Sequence, residues 1–132
     1  MESKQVSAEQ IKGDFVHMVF FWLKNPENQK DLQAFEAALQ KFIQTNPQKV
    51  KFHIGRPAPT DRPVVDRSYS YCLVVTFPDL ETHDAYQSDP THVLFIEEVE
   101  SLWEKVQIYD SIAKAWGTYI IRNFYRLDFA WS

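Results

Sequence analysis

The sequence predicts an α+β subunit in which helices cover one face of a four-stranded antiparallel sheet, the split βαβ or ferredoxin-like arrangement. Three features of the sequence support this prediction. Four apolar runs are rich in β-branched and aromatic residues, as strands are. One long segment between the first two runs has apolar residues at helical spacing, and a second helical segment, interrupted by a proline, precedes the last run. The predicted order is therefore strand, helix, strand, strand, helix, strand.

Composition limits the class of protein. The 132 residues fit one domain, and 45% hydrophobic and 15% aromatic residues are more than a small fold hides easily, so part of the surface is expected to meet another subunit. A net charge of −4 lacks the basic excess of nucleic-acid-binding proteins, so nucleic acid is not an expected partner. The longest apolar run, MVFFWL, is much shorter than the roughly 20 residues that span a bilayer, so no membrane association is expected.

Cys72 is the single cysteine of the chain, which excludes an internal disulfide and a cysteine-based zinc site. It lies in the apolar run YCLVVTF, where a cysteine is more often a small core residue than a reactive thiolate. A single structural thiol is compatible with a reducing compartment, so we expect a cytoplasmic protein.

The first strand and the first helix have clear signals. Residues 1–13 are polar and aperiodic, and we interpret them as a flexible tail. Residues 15–23, interrupted only by His17, are typical of a strand that is buried on both faces. Asn25 is expected to cap the following helix, with Pro26 in its first position. The apolar stripe of that helix comprises Leu32, Phe35, Leu39, Phe42 and Ile43.

The next two strands are joined by a long connection. Residues 49–55 alternate with period 2 and have one polar face, and residues 69–77 form a third strand whose alternate side chains, beginning with Tyr69 and Tyr71, share a face. The connection, residues 55–68, contains three prolines and three arginines. It is equally consistent with a functional loop and with a plain surface connection.

The second helical segment is expected to be broken. Asp79 is placed to cap PDLETHDAYQSD, and Pro90 interrupts the pattern before THVLFIEEVESLWEK resumes it. VQIYDSI then forms the last strand and completes a domain over residues 14–112. Residues 113–132 form an aromatic-rich C-terminal extension, which is expected to pack on the domain or on a dimer partner.

One face of the predicted sheet has no helices to cover it. The first and third strands are apolar on both sides, while both helical segments are expected on one side. A second sheet must therefore cover the other side. The simplest solution is a homodimer through the sheet faces, which forms a dimeric α/β barrel.

Four stretches of the sequence, HMVFFWLK, SYCLVVTF, YQSDPTHVLF and WEKVQIYD, resemble the stress-responsive A/B barrel domain (Dabb) family of the dimeric α/β-barrel superfamily. The resemblance covers residues 15 to 110. It implies a ferredoxin-like subunit that dimerises through its sheets. It implies much less about a reaction, since many members are known only as stress-associated proteins.

A plant branch of this family contains cofactor-free enzymes that close a polyketide chain by aldol cyclisation with a His and a Tyr. The resemblance assigns these two roles to His92 and Tyr86 and places His17 in the pocket. Tyr71 stands where that branch has another pocket His, and Asp89 replaces the His before the shared proline. Because of these departures, the resemblance does not carry over the plant substrate or reaction.

The residues themselves allow two roles for His92. In the first turn of a helix, unpaired N–H groups and the helix dipole favour a neutral ring, so His92 can act as a general base while Tyr86 donates a hydrogen bond to an enolate. Alternatively, His92 bonds Asp89 or a backbone group and secures the helix break. His17 and Phe21 share a strand face and would line a ligand pocket there, unless His17 is a satisfied core histidine.

The other two histidines, His53 and His83, have charged neighbours and are expected to be solvated. The four histidines form neither a His-x-His nor a His-Glu-x-x-His pattern. The sequence therefore predicts no metal site, and it predicts no cofactor.

These observations predict a homodimeric A/B barrel protein that binds a small apolar or carbonyl compound in a barrel cavity, with cofactor-independent, cyclase-like catalysis as its enzymatic form. One alternative is a noncatalytic stress or assembly protein. Another is a cofactor-free monooxygenase-like enzyme that acts on aromatic substrates. An enclosed cavity reached by His92 would favour an enzyme, and a barrel filled with side chains would favour the noncatalytic protein.

Overall fold

The computed structural model describes residues 8–49 and 51–114, which form one antiparallel sheet with helices on one face. The sheet order is β2-β3-β1-β4, and the three strand pairs are antiparallel. This confirms the predicted α+β, ferredoxin-like fold. The elements are β1 (Phe15–Leu23), α1 (Gln29–Thr45), β2 (Lys51–Gly55), β3 (Tyr71–Phe77), α2 (Leu80–Ser88), α3 (Pro90–Val99), a 3-10 turn (Glu100–Leu102) and β4 (Trp103–Ile112).

Both predicted terminal segments fall largely outside the described residues. Of the expected N-terminal tail, residues 8–13 are described, and they contain neither helix nor strand. Gly13 has a φ of +95°, and a Cβ built there would lie 2.9 Å from the Cβ of Thr76, so a larger residue would be strained at this point. Residues 115–132 of the expected C-terminal extension lie outside the described part of the chain.

β1 is an inner strand of the sheet, because it pairs with β3 on one edge and with β4 on the other. Its side chains alternate between the helix side, where they are buried, and the other side, where they are half-buried. The buried set comprises Phe15, His17, Val19, Phe21 and Leu23. The helix side of β1 therefore carries one polar ring, His17, within an otherwise apolar surface.

The first helix begins later than the sequence predicted. The side chain of Asn28, rather than that of Asn25, caps α1 by accepting the N–H of Asp31 at 3.0 Å. The reason is a turn before the helix, in which the N–H of Asn28 donates to the carbonyl of Asn25 at 3.0 Å, and Pro26 lies within that turn. The predicted apolar stripe is confirmed, since all its members are buried: Leu32, Phe35, Leu39, Phe42 and Ile43.

The predicted helix break is confirmed. Asp79 caps α2 by accepting the N–H of Thr82 at 2.8 Å. Asp89 has an extended backbone, φ −66° and ψ 142°, as expected for a residue before a proline, and its side chain caps α3 by accepting the N–H of Thr91 at 2.9 Å. The chain therefore changes direction at residue 89 and starts a new helix.

None of the described helices packs on the second side of the sheet, which we call the open sheet face. In β1 it presents four half-buried side chains, Val16, Met18, Phe20 and Trp22. Tyr69 packs on this face, with its ring centroid 5.0 Å from that of Phe20, so the prediction that it shares the face of Tyr71 was wrong. The reason is that β3 begins only at Tyr71, and strand alternation does not extend back to residue 69.

Two further predictions can be compared with the described residues. Cys72 is a free, buried cysteine on β3, and burial raises the pKa of its thiol, so it is protonated and unreactive at neutral pH. None of the described helices combines the length and the hydropathy that crossing a membrane requires.

Replacing Asn28 with Ala removes the acceptor that caps α1 and is expected to lower the free energy of unfolding by about 1 kcal/mol. Asn25→Ala is the matched control. Its side chain makes one long, exposed contact to Asp31, 3.4 Å, so the expected loss is below about 0.5 kcal/mol. Urea unfolding of both variants and the parent measures the two values. A larger effect at Asn25 would contradict the observed helix start.

Candidate functional site

A cavity of about 130 Å³ lies between the helix side of the sheet and the helices of a single chain. It lies on the side of the sheet opposite to the open sheet face. Thirteen residues line it. Nine of them are apolar: their side chains are aliphatic or are the rings of phenylalanine and tryptophan. The others, which we call the polar wall, are His17, Tyr86, Gln87 and His92. Such a cavity buries the body of a small molecule and offers it a few oriented polar groups.

Three different elements supply the polar wall. His17 projects from the centre of β1, Tyr86 lies near the end of α2, and His92 lies in the first turn of α3. The helix break brings the last two together, with ring centroids 5.5 Å apart and an angle of 71° between the planes. The rings of His17 and Tyr86 are 5.8 Å apart, also edge to face. Tyr86 is therefore the centre of the group.

The His92 ring is held by aromatic contacts. It meets Phe42 edge to face at 5.4 Å, in addition to Tyr86, while its backbone N–H donates to the carbonyl of Asp89 at 2.9 Å. The Asp89 carboxylate accepts from Thr91, both from the N–H and from the hydroxyl. Burial lowers the pKa of His92, with smaller contributions in the same direction from His17 and His83 and an opposing one from Asp89. The ring is therefore neutral at pH 7 and can accept a proton.

Tyr86 is suited to donate a hydrogen bond. Its side chain is buried, and burial raises the pKa of the phenol, so the hydroxyl keeps its proton throughout the physiological range. The Asn46 amide donates to the carbonyl of Tyr86 at 3.2 Å and ties the end of α2 to the end of α1. The cavity thus combines a proton acceptor and a proton donor on adjacent helices.

His17 has a partner that lies directly opposite it on the neighbouring strand. Its Nδ1 is 2.5 Å from Oδ1 of Asp110, and the two residues are paired across β1 and β4. Because a carboxylate only accepts, this contact assigns the ring proton to Nδ1 and leaves Nε2 with a free lone pair. Burial lowers the pKa of His17, and Asp110 opposes that effect. The polar ring on the central strand is thereby satisfied.

The structure corrects the prediction for His83. This histidine was expected to be solvated, but it is 6% exposed and stacks on Phe15 with centroids 4.5 Å apart. It lies three residues before Tyr86, and residues with that spacing on a helix share a face, so both turn toward the sheet. The ring of His83 is 5.0 Å from that of His17, and its Nε2 is 4.0 Å from Oδ2 of Asp110. Sequence reasoning missed both His83 and Asp110, although the spacing to Tyr86 was visible.

The remaining predicted site residues divide between two places. Phe21 lines the cavity with His17, Tyr86 and His92. Tyr71 does not, although it is buried on the same side of the sheet. Its hydroxyl donates to the carboxylate of Glu36, and the guanidinium of Arg56 lies 4.8 Å from its ring centroid, in a separate cleft beside α1 and β2. The structure therefore brings together four of the five predicted residues.

Residues 15–113 match the family model of the stress responsive A/B barrel domain. The chain belongs to this family. No curated protein is significantly similar to the chain in sequence.

Solved structures share the fold at low sequence identity. A Dabb family protein with a ferredoxin-like fold from Mesorhizobium loti is 22% identical, with a TM-score of 0.65 over 79% of this chain and 100% of that chain. A dimeric ferredoxin-like protein of unknown function from Thermobifida fusca is 15% identical, with a TM-score of 0.61 over 82% and 99%. Hydroxynitrile lyase from Passiflora edulis is 19% identical, with a TM-score of 0.64 over 80% and 97%. At these identities the likeness shows the fold alone.

Because the pKa of His92 is lowered, the folded protein is expected to lose stability as the pH falls below neutral. Since the unfolded chain binds a proton with a pKa near 6.5 and the buried ring binds it less readily, the contribution of His92 is fully present above pH 6.5 and is lost as the pH falls. Wild-type protein is therefore expected to lose stability between about pH 7.5 and pH 5, and His92→Gln to lose less. Urea unfolding at both pH values measures the difference, and the exposed His53→Gln is the control. Identical pH dependence of His92→Gln and wild type would contradict the burial of a neutral ring.

Proposed function

We propose that this A/B barrel protein binds a small carbonyl compound in the cavity of each chain and acts on it as a cofactor-independent, cyclase-like enzyme. The observation that carries the proposal is the polar wall. A neutral imidazole and a protonated phenol, each held by its own helix, face one small apolar cavity. A general base and a hydrogen-bond donor on one cavity are the groups that enolate chemistry requires.

The size of the cavity limits the substrate. A cavity of about 130 Å³ is close to the roughly 150 Å³ that accommodates benzene in an engineered protein core. It is well below the roughly 300–1,000 Å³ of pockets for larger ligands. We therefore infer a compound of about six to eight non-hydrogen atoms, smaller than the polyketide chains closed by the plant cyclases that the sequence resembles. Tyr71 and Asp89, which replace two histidines of that branch, agree with a different substrate.

The chemistry we infer is a proton transfer next to a carbonyl group. His92 removes a proton from the carbon beside the carbonyl, and the electron pair of that C–H bond moves onto the carbonyl oxygen as an enolate. The hydroxyl of Tyr86 donates a hydrogen bond to this oxygen. When the enolate carbon forms a bond to a second carbonyl, the new alkoxide takes the proton back from His92, so no oxidant or cofactor is consumed. His17 adds an acceptor, Nε2, that can orient a hydroxyl group of the substrate.

A fold relative lends this chemistry support. The Passiflora edulis protein is a hydroxynitrile lyase, and a hydroxynitrile is the adduct of cyanide with a carbonyl compound. A protein with this fold is therefore an enzyme for a small molecule that derives from a carbonyl compound. A shared fold does not assign a reaction by itself, and the support from this chain's own residues is the polar wall.

We further propose that the chain forms a homodimer through the open sheet face. That face presents the half-buried Met18, Phe20 and Trp22 and the 57% exposed Tyr109. Aliphatic and aromatic side chains exposed in the middle of a sheet favour a protein partner, and the Thermobifida fusca relative is described as dimeric. A second copy supplies a sheet of matching shape, which places the cavities on the outer, helix-covered sides of the dimer.

We place the protein in the cytoplasm. The one cysteine is a buried free thiol, so the chain has no internal disulfide that an oxidising compartment would maintain.

Deuterium incorporation into a simple ketone tests the proposed proton transfer directly. Cyclopentanone has six non-hydrogen atoms, and its α-protons exchange in D₂O only through an enol or enolate. The protein is expected to accelerate this exchange, followed by NMR. His92→Gln and Tyr86→Phe are each expected to reduce the acceleration at least tenfold, since a general base contributes about 10²–10⁴-fold and one hydrogen-bond donor to a developing oxyanion about 10²–10³-fold.

His53→Gln is the matched control for the exchange experiment, because His53 lies on β2 and on the side of the sheet opposite to the polar wall; light scattering checks that this variant keeps the oligomeric state of the wild type. It is expected to retain the full acceleration. Exchange no faster than in buffer would support the noncatalytic stress or assembly protein instead. Full acceleration by His92→Gln would show that another group is the base.

Light scattering at micromolar concentration tests the dimer, and a stable monomer would contradict it. Met18→Lys places a charge at the centre of the open sheet face, where Met18 pairs with Val74 and Tyr109, and it is expected to give monomers. Val64→Lys is the control, because Val64 is 81% exposed in the loop before β3. It is expected to stay dimeric.

A further inference from the structure

Three potential metal ligands meet beside the cavity, each on a different element. They are His17 on β1, His83 on α2 and Asp110 on β4, and one ligand atom from each lies within 4.8 Å of the others. The residues are far apart in the sequence, so their spacing matches no metal-binding motif. The sequence predicted no metal site because it contains no such motif. A sequence motif cannot reveal ligands that the fold brings together from three separate elements.

His83 has the arrangement of a metal-binding imidazole. Its Nδ1 is 3.1 Å from Oδ1 of Asp84, a carboxylate that accepts the Nδ1 proton and leaves the lone pair on Nε2. Histidine ligands in metal sites are commonly oriented by a carboxylate in this way. The side chain is only 8% exposed, and Nε2 has no hydrogen-bond partner among the described protein atoms. A buried imidazole nitrogen without a partner requires an explanation.

The Nε2 atom of His83 faces another acceptor. It lies 4.0 Å from Oδ2 of Asp110, whose other oxygen accepts the hydrogen bond from His17. The lone pair on the buried His83 ring and the facing oxygen of the part-exposed Asp110 carboxylate are stabilised by a cation between them. The Asp110 side chain is 40% exposed, so an ion can reach the group from the solvent side of β4.

We propose that His17, His83 and Asp110 bind a divalent first-row transition metal ion, with Zn²⁺ as the representative. Two imidazole nitrogens and one carboxylate oxygen are ligands that zinc, and ferrous iron, accept with further positions left for water. Ligand atoms about 2.0–2.2 Å from zinc lie roughly 3.3–3.6 Å apart in a tetrahedron. Metal binding therefore requires the ligand atoms of His17 and Asp110 to move apart from 2.5 Å and those of Asp110 and His83 to approach from 4.0 Å. The proton on Nδ1 of His17 moves to Nε2, which fixes the ring in its other neutral tautomer, so that in the metal-bound chain Nε2 donates a hydrogen bond at the cavity instead of accepting one.

Calorimetric titration of the untagged protein with Zn²⁺ alone tests this site. We expect one ion per chain in wild type. His83→Gln and Asp110→Asn are each expected to weaken binding at least tenfold, since loss even of a residue that only orients a ligand costs about 10–100-fold. His53→Gln, which removes an exposed histidine, is the control and is expected to bind as wild type does.

X-ray absorption at the zinc edge of the wild-type complex provides a test that needs no variant to fold. The spectrum is expected to show two imidazole nitrogens with the remaining ligands oxygen. Absence of binding, equal affinity in all variants, or weakened binding in His53→Gln would overturn the proposal. A spectrum with one imidazole or none would overturn it as well, because the ion would then be bound elsewhere.

Discussion

A histidine on the buried side of the central strand is the constraint around which this domain is organised. His17 is 2% exposed, and a buried imidazole without partners is destabilising. Antiparallel pairing of β1 and β4 places Asp110 directly across from it and supplies the acceptor. Because β4 is an edge of the sheet that residues 8–49 and 51–114 form, Asp110 keeps contact with water, and the pair can exist where an entirely buried carboxylate would be costly. The sheet register therefore has a chemical consequence as well as a packing one.

The helix break completes the surroundings of this ring. An unbroken helix over residues 80–99 would carry its second half past the sheet in a straight line. Asp89 and Pro90 end α2 and start α3, so that Tyr86 and His92 face each other across the break. Phe42 on α1 packs against both rings. The break at Asp89 and Pro90 thus determines whether Tyr86 and His92 meet at the cavity.

Different parts of the fold and site could be predicted from the sequence to different extents. Strand β1 and the break at Pro90 were predictable because hydrophobic runs and proline act locally. The cap at Asn28 was missed because two asparagines compete before the same helix, and only the turn geometry selects one. The burial of His83 was missed because charged neighbours suggested an exposed helix. Asp110 was missed because it lies 93 residues from His17, and their contact depends on strand register.

Asp110 holds His17 as the Nδ1–H tautomer inside the domain, and the rest of the site depends on this contact. NMR of the ¹⁵N-labelled histidine rings in metal-free protein at neutral pH tests it most directly. We expect a proton on Nδ1 of His17 that is shifted downfield, exchanges slowly with water, and loses both properties in Asp110→Asn. A proton on Nε2, or rapid exchange that Asp110→Asn leaves unchanged, would contradict it.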